Sequence, residues 1–166
     1  MQRLKELYHR YKGGVFGYLY RMTGSGPEAE ELTQETFYQA LLSLHRFRGD
    51  GAVLTWLLRI ARNVYLKRLR SLGRETPVES VGDITPDTDP GPDHALVQMD
   101  ERGAVRRALA RLPEQYRTVL ILREVQGLSH AEIGLILEKS EPTVRVLVHR
   151  ARQRLHRLYL EEENQS

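Results

Sequence analysis

One predicted helix carries the side chains whose chemistry is easiest to interpret. Apolar residues recur at helical spacing from about Val53 to Arg70, and the side expected to face a core carries Trp56, Leu57, Ile60, Ala61 and Val64. The opposite side carries four cations and one amide, namely Arg59, Arg62, Asn63, Lys67 and Arg70. No acid interrupts this row, which predicts a surface for a polyanion such as nucleic acid. An ordinary solvent-exposed face that is basic by chance is the alternative.

The charge of the chain is distributed in three blocks. Residues 1–70 carry twelve lysine and arginine residues against six acids, a net charge of +6. Residues 71–100 carry one arginine against seven acids, a net charge of −6, and the remainder has a net charge of +3. Two basic blocks joined by an acidic connector indicate a protein that holds nucleic acid at two places.

Composition excludes several other classes of protein. The chain has 166 residues, enough for one medium domain or two small ones, and its apolar runs are too short to span a bilayer. It contains no cysteine, which excludes disulfides and thiolate zinc sites, and its six histidines form no metal-binding motif. Its amino-terminal segment has no secretory pattern. We therefore expect a cytoplasmic protein without cofactor or membrane insertion.

The first seventy residues are predicted to form three helices. The first runs from about Arg3 to Thr23 and the second from Pro27 to about Phe47, and a loop containing Gly49, Asp50 and Gly51 then leads into the basic helix. The residues expected to face the core of this domain are Leu4, Leu7, Tyr8, Tyr11, Val15, Leu19 and Met22 in the first helix, and Ala29, Leu32, Thr33, Thr36, Phe37, Ala40, Leu41 and Leu44 in the second.

An acidic linker and a second helical domain are predicted to follow. Residues 72–92 contain four prolines, three glycines and many acids, too little apolar surface for a core. Helices are predicted from the N-cap Asp93 to about Arg111 and from Pro113 to Gly127. The fold class is therefore all-α, with two small helical domains, residues 1–71 and 93–160, joined by an extended acidic linker and followed by a polar tail, residues 161–166.

The second domain contains a candidate helix-turn-helix. Ser129 and Glu132 form a capping-box pattern that begins a short helix carrying Ile133, Ile136 and Leu137. A polar break at residues 138–140 precedes a second helix that Ser140 can cap and that carries five arginines. In such a motif the second helix enters the major groove of DNA. A basic helical hairpin that binds RNA or an acidic protein is the alternative.

Taken together, the chain resembles an extracytoplasmic-function (ECF) sigma factor, a compact two-domain specificity subunit of bacterial RNA polymerase. Residues 28–41 (EAEELTQETFYQAL) are similar to the polymerase-binding helix of that family, and residues 47–63 (FRGDGAVLTWLLRIARN) to its −10 promoter-reading loop and helix. Residues 112–134 and 149–155 are similar to its −35-binding domain. The order, the spacing and the acidic linker agree over about four-fifths of the chain.

The resemblance implies partners and sites. It implies that the chain binds core RNA polymerase through the largest and second-largest subunits, promoter DNA in duplex and single-stranded form, and an anti-sigma factor. A coiled coil of the largest subunit would bind Glu31, Gln34, Glu35 and Tyr38, although a solvent-exposed helix face is the alternative there. The −10 element would be held by Arg48, Gly49, Asp50, Gly51, Arg59, Arg62, Asn63 and Lys67, with one base flipped into the loop.

The −35 duplex would be contacted by residues near the start of the last helix, namely Ser140, Thr143, Arg145, His149, Arg150 and Arg152. The sequence departs from the family pattern here. Val146 and Leu147 replace a serine and an arginine that the family exposes, which predicts an apolar spot on the surface. Glu138 and Lys139 stand where the family has glycine and an apolar residue, and a side chain in a left-handed turn costs about 1 kcal/mol.

Two other functions compete with transcription initiation by a sigma factor. A helix-turn-helix regulator that binds duplex DNA without polymerase explains the second domain, but it leaves residues 28–41 and the glycine-rich loop without a role. An enzyme that acts on nucleic acid is the third class. We do not expect an enzyme, because no group of residues combines a nucleophile, a base and an orienting partner.

Overall fold

The helical periodicity of the sequence corresponds to helices throughout the described structure. The structure is a computed structural model, and it describes residues 2–47, 53–73 and 103–165. Every regular element within these ranges is helical, which confirms the all-α prediction. The predicted loop residues Arg48, Gly49, Asp50 and Gly51, the linker from residue 74 onward and the predicted N-cap Asp93 lie outside the described residues.

Three helices form the first of two compact units. These helices are α1 (Gln2–Thr23), α2 (Gly26–Ser43), which a 3₁₀ turn (Leu44–Arg46) extends, and α3 (Val53–Ser71). The boundary between α1 and α2 follows from local chemistry. Gly24 adopts a left-handed conformation with φ of +72°, and the Ser25 hydroxyl accepts a hydrogen bond from the Glu28 amide.

The core of this unit lies where α1, α2 and α3 pack against one another in pairs. Twelve of the residues that the sequence predicts to be buried have their side chains there, namely Val15, Leu19, Met22, Ala29, Leu32, Thr33, Thr36, Phe37, Ala40, Leu57, Ala61 and Val64. Tyr18 and Leu58 are also fully buried. The Tyr65 hydroxyl donates a hydrogen bond of 3.3 Å to the carbonyl of Met22, which ties α3 to the end of α1.

Some predicted core residues lie at the edge of the packing. The first half of α1 is only partly covered, and Leu41 on α2 is 37% exposed. Trp56 is also partly exposed, because its ring stacks on Phe47 instead of entering the core. Periodicity predicted each of these positions as buried, but the neighbouring helices do not reach them.

The second unit is built from four helices and a π-helical turn. Its elements are α4 (Ala104–Arg111), α5 (Glu114–Leu120), the π turn (Ile121–Val125), α6 (His130–Leu137) and α7 (Glu141–Asn164). The predicted capping box at the start of α6 is present, with both reciprocal hydrogen bonds between Ser129 and Glu132. Ser140 caps α7 by accepting from the Thr143 amide, as predicted.

The last helix is longer than the sequence suggested. Residues 161–164, predicted as part of a polar tail, belong to α7, and Glu162 is almost completely buried. Its carboxylate accepts a hydrogen bond of 2.9 Å from Arg107 and another of 2.9 Å from Arg111. Two arginines of α4 therefore satisfy one buried acid of α7 and fasten the two helices together.

The turn between α6 and α7 depends on two residues. Glu138 is the one non-glycine among the described residues with a positive φ, at +58°. Gly134 faces the same turn, and a Cβ atom added to it would lie 2.5 Å from the carbonyl oxygen of Lys139. A glycine in α6 is therefore required by the close approach of the turn, whereas the left-handed position itself carries a strained side chain.

We predict that replacing Glu138 by glycine stabilises the protein by about 1 kcal/mol, because glycine adopts the left-handed conformation without steric cost. The measurement is the midpoint of denaturant unfolding of the full chain. The matched control is Lys139→Gly at the next position, where φ is not positive and glycine should lower the midpoint. A lower midpoint for Glu138→Gly would contradict the assigned strain.

Candidate nucleic-acid interface

The basic row predicted on α3 is present on a surface of the helix. Arg59, Asn63, Lys67 and Arg70 are exposed, whereas Arg62 is partly buried. Leu57, Leu58 and Ala61 on the other side of α3 are completely buried. Because the core fixes one side of this helix, the cations must project from the other side, and their row continues along more than three turns. This is the arrangement that a charged polymer requires.

An aromatic pair lies at the amino-terminal end of this row. Trp56 lies on the same face of α3 as Asn63 and Arg70, because these three residues follow one another at intervals of seven, which is about two helical turns. Its ring stacks on that of Phe47, with ring centroids 4.7 Å apart and an angle of 22° between the planes. Phe47 and Trp56 stand on either side of residues 48–52, the predicted −10 loop. The stack therefore joins the segment before residue 48 to the first turn of α3.

The acidic face predicted on α2 is exposed. Glu31, Gln34, Glu35 and Tyr38 all lie at the surface, and Tyr38 is 55% exposed. Arg68 of α3 donates a hydrogen bond of 3.0 Å to Glu31 and lies 3.7 Å from Glu28. Glu31 remains 69% exposed in this ion pair, so its carboxylate is still available to a partner. Arg68 was not anticipated by the sequence reasoning, because the pairing depends on how α2 and α3 pack.

Two leucines extend the same face. Leu42 is 52% exposed and Leu41 is 37% exposed, and both follow Tyr38 by one helical turn. Three large apolar side chains in solvent at one helix end are typical of a surface that binds another protein. The sequence reasoning missed Leu42 altogether and placed Leu41 in the core, although the spacing of three and four residues from Tyr38 could have identified both.

The start of α7 presents polar groups that already have partners within the helix. The hydroxyls of Ser140 and Thr143 are 2.8 Å apart, and both are accessible at the first turn. Arg145 forms an ion pair of 3.3 Å with Glu141 one turn earlier. Because both side chains are about half exposed, this pair is weak in water and can exchange for a stronger anionic partner.

The predicted −35 residues do not all share one surface. Arg145 and His149 lie one turn apart on one side of α7, while Thr143 and Arg150 lie seven residues apart on another. Arg152 is buried, and its guanidinium donates to the carboxylate of Glu124 in the π turn, with 2.7 Å between Nε and Oε1. The prediction that Arg152 contacts DNA does not fit this position, because the side chain is enclosed by its own domain.

The predicted apolar spot on α7 is also absent from the described surface. Val146 is 3% exposed and Leu147 is fully buried. The expectation that these residues are exposed was therefore wrong. Burial of both side chains removes apolar surface from water and contributes to stability instead of marking the DNA-facing side.

His130 lies at the start of α6 within a group of cations. Partial burial lowers the pKa of its imidazole below the ordinary value of 6.5, and the positive charges of Arg123, Arg145 and Arg152 lower it further. The opposing effect of Glu141 is smaller. Arg123 itself donates to the carbonyl of Leu128 at 2.9 Å and so braces the loop before α6. The imidazole is therefore kept neutral near Arg145, one of the residues predicted to contact the −35 duplex.

Comparisons with known proteins agree with both units. The family model for Sigma-70 region 2 matches residues 7–75, and the model for Sigma-70 region 4 matches residues 102–155. The RNA polymerase sigma-H factor of Pseudomonas aeruginosa is 33% identical over 153 residues, which are 87% of this chain and 79% of that protein. The chain belongs to the ECF family of RNA polymerase sigma factors.

Further relatives extend this assignment over nearly the whole chain. The ECF RNA polymerase sigma factor SigM of Bacillus subtilis is 30% identical, with 94% of each chain covered. The solved structure of the sigma factor RpoE from Bartonella quintana, in complex with the anti-sigma factor NepR, matches with a TM-score of 0.73 and 25% identity. It covers 95% of this chain and 97% of that one. The DNA-only regulator is therefore not supported, since region 2 has no place in it.

Membrane-spanning helices and metal-binding clusters are both absent from the described residues. No described helix is long and apolar enough to cross a membrane. Among the same residues, no group of three or more histidine and acidic side chains is arranged to hold a metal ion.

We predict that Arg152→Ala destabilises this sigma factor by about 3 kcal/mol, because it leaves Glu124 buried without its cation. The neighbouring variant Arg150→Ala removes an accessible arginine of the same helix and should change stability by less than about 1 kcal/mol. The free energy of unfolding of both variants is measured by denaturant unfolding and compared with that of the unchanged protein. Equal stabilities would show that Arg152 is not a structural residue.

A second prediction concerns the pH dependence of stability. Below pH 6.5 the unfolded chain protonates His130, whereas the folded protein resists protonation because the pKa of this residue is lowered. Stability should therefore fall as the pH falls through this range. Between about pH 7 and pH 5, His130→Gln should show a shallower decrease of unfolding free energy than the unchanged protein. If the unfolding free energies of the two proteins changed with pH in parallel, His130 would not be the source of the pH dependence.

Proposed function

We propose that the chain directs promoter-specific initiation by core RNA polymerase through three separate surfaces, one on each of α2, α3 and α7. The observation that carries this proposal is the acid-free basic face of α3 beside an exposed acidic and apolar face of α2, within the unit that matches region 2. A protein that only bound DNA would have no use for the second of these faces.

The polymerase-binding surface is assigned to α2. Glu31, Glu35, Tyr38 and Leu42 follow one another at intervals of four, three and four residues. This alternation is the spacing with which one helix lies along a coiled coil, because it places every member on one narrow face. Tyr38 and Leu42 supply apolar area at one end of the row, and the carboxylates at the other end suit an arginine-rich partner.

The −10 surface is assigned to α3 and the loop before it. Arg59, Arg62, Asn63 and Lys67 would hold the phosphates and flanking bases of the separated strand, and residues 48–51 would hold the flipped base. The stack of Phe47 on Trp56 supports this assignment, because it places two aromatic rings beside the amino-terminal end of the basic row, where bases can stack.

The −35 surface is assigned to the first three turns of α7. Thr143, Arg145, His149 and Arg150 remain as the accessible members of the predicted set, and Ser140 caps the helix. Arg145 is the candidate for reading a base, because it lies near the amino-terminal end that enters the major groove. Arg152 is left out of this surface because it is committed to Glu124.

The remaining parts of the proposal concern setting and regulation. An anti-sigma factor is proposed as a regulator, in line with the RpoE structure, which contains the anti-sigma factor NepR. We place the protein in the bacterial cytoplasm, where core polymerase and DNA are found. Sigma factors are initiation factors without enzymatic activity of their own, and we propose no catalytic residue in this chain.

Transcription with purified core polymerase tests the function directly. Core enzyme is incubated with a library of promoter DNA, with and without this protein, and the transcripts are sequenced. Specific start sites that require the protein are the expected result, and the enriched DNA also defines its promoter. Binding of duplex DNA by the protein alone, without core binding or initiation, would overturn the proposal.

We predict that Tyr38→Ala and Leu42→Ala each weaken binding to core polymerase about tenfold or more, because they remove the apolar part of the α2 surface. Glu30→Ala is the matched control, since Glu30 is also exposed on α2 but lies outside the row. Binding of a −10 oligonucleotide should be unchanged in all three. Lys67→Ala should show the reverse pattern, with intact core binding and weaker binding of the oligonucleotide.

A further inference from the structure

A cation of the first helix lies against the base of the −10 loop. The guanidinium of Arg3 is 5.8 Å from the centroid of the Phe47 ring, which belongs to the chain segment just before that loop. Arg3 is exposed to solvent. Arg3 is not among the residues predicted to bind DNA. It also lies before the match to region 2, which begins at residue 7.

The aromatic stack connects Arg3 to the basic face of α3. Phe47 interacts with both Arg3 and Trp56, and Trp56 stands at the head of the row that contains Asn63 and Arg70. The three side chains therefore connect α1 to α3. Aromatic rings next to a guanidinium are the usual components of a surface for unpaired nucleic acid, since bases stack and phosphates pair with the cation.

The local charge favours a phosphate at this position. Arg46, directly before Phe47, is exposed and adds a second cation. Among the described residues, no carboxylate forms an ion pair with Arg3, and its one described interaction is with the Phe47 ring. A guanidinium stacked on a ring keeps its hydrogen-bond donors at the edge of its plane, so the ring orients them without using them.

We propose that Arg3 binds a backbone phosphate of the unpaired strand beside the −10 loop and so extends the DNA-binding surface from α3 onto α1. This inference rests on the proposed function, since it concerns the same DNA strand. The strand passes from the basic row of α3 across the edge of the Phe47–Trp56 stack, and a phosphate beyond the stack meets Arg3. Arg46 lies on the same route and raises the local positive potential.

The proposal predicts a change in salt dependence. One phosphate contact contributes about 0.7 to the slope of log affinity against log salt for single-stranded DNA. Arg3→Gln should reduce the slope by about that amount, while Arg3→Lys, which keeps the charge, should retain it. Arg21→Gln is the control, because Arg21 is an exposed arginine at the opposite end of α1, about 27 Å away along the helix axis.

The measurement uses the holoenzyme and a fragment of the selected promoter whose −10 bases are unpaired. In parallel, the chain without polymerase is titrated with the corresponding single-stranded oligonucleotide. If the chain failed to bind polymerase, the proposed function would be wrong, but this second experiment would still test the role of Arg3. A lower slope for Arg3→Gln than for Arg21→Gln supports the proposal. Equal slopes would overturn it, and Arg3 would then serve only to hold the Phe47 ring.

Discussion

The first unit depends on the burial of one side of α3 between α1 and α2. Leu57, Leu58 and Ala61 are completely enclosed, and Tyr65 is hydrogen bonded to the end of α1. Burial of these side chains fixes the rotation of α3 about its own axis, because any other rotation would expose them to water. The rotation of α3 in turn fixes the direction in which its cations project. The position of the basic face is thus determined by the apolar residues opposite it.

The same packing separates two surfaces of opposite character. On α2, residues at heptad-like spacing project acids and apolar groups, while α3 projects cations, and Arg68 pairs with Glu31 where the helices meet. An ion pair this exposed contributes little to stability, but it partly neutralises the charges at the boundary. A protein that must hold polymerase and DNA at once benefits from two surfaces that do not compete for the same side chains.

In the second unit two largely buried acids are paired with arginines. Glu124 engages the buried Arg152, and Glu162 engages Arg107 and Arg111, whose side chains stay about half exposed. Each such acid is stable in the interior only because its cation is present. Arg145 and Arg150 of α7 stay partly accessible, because neither of them is committed to a buried acid.

Much of this sigma factor could be derived from its sequence, because the signals concerned are local. Helical periodicity, the Ser25 and Ser140 caps, the capping box at Ser129 and the strained turn at Glu138 depend on residues a few positions apart, and the charge of α3 needs no knowledge of the fold. The family resemblance rested on the same local patterns. What the sequence could not supply were contacts between distant residues. The burial of Arg152 and Val146, the pairing of Arg68 with Glu31, the exposure of Leu41 and the position of Arg3 against Phe47 follow from where one helix covers another. Periodicity identifies the face of a helix, whereas only tertiary packing decides how far that face is covered and which charges meet across it.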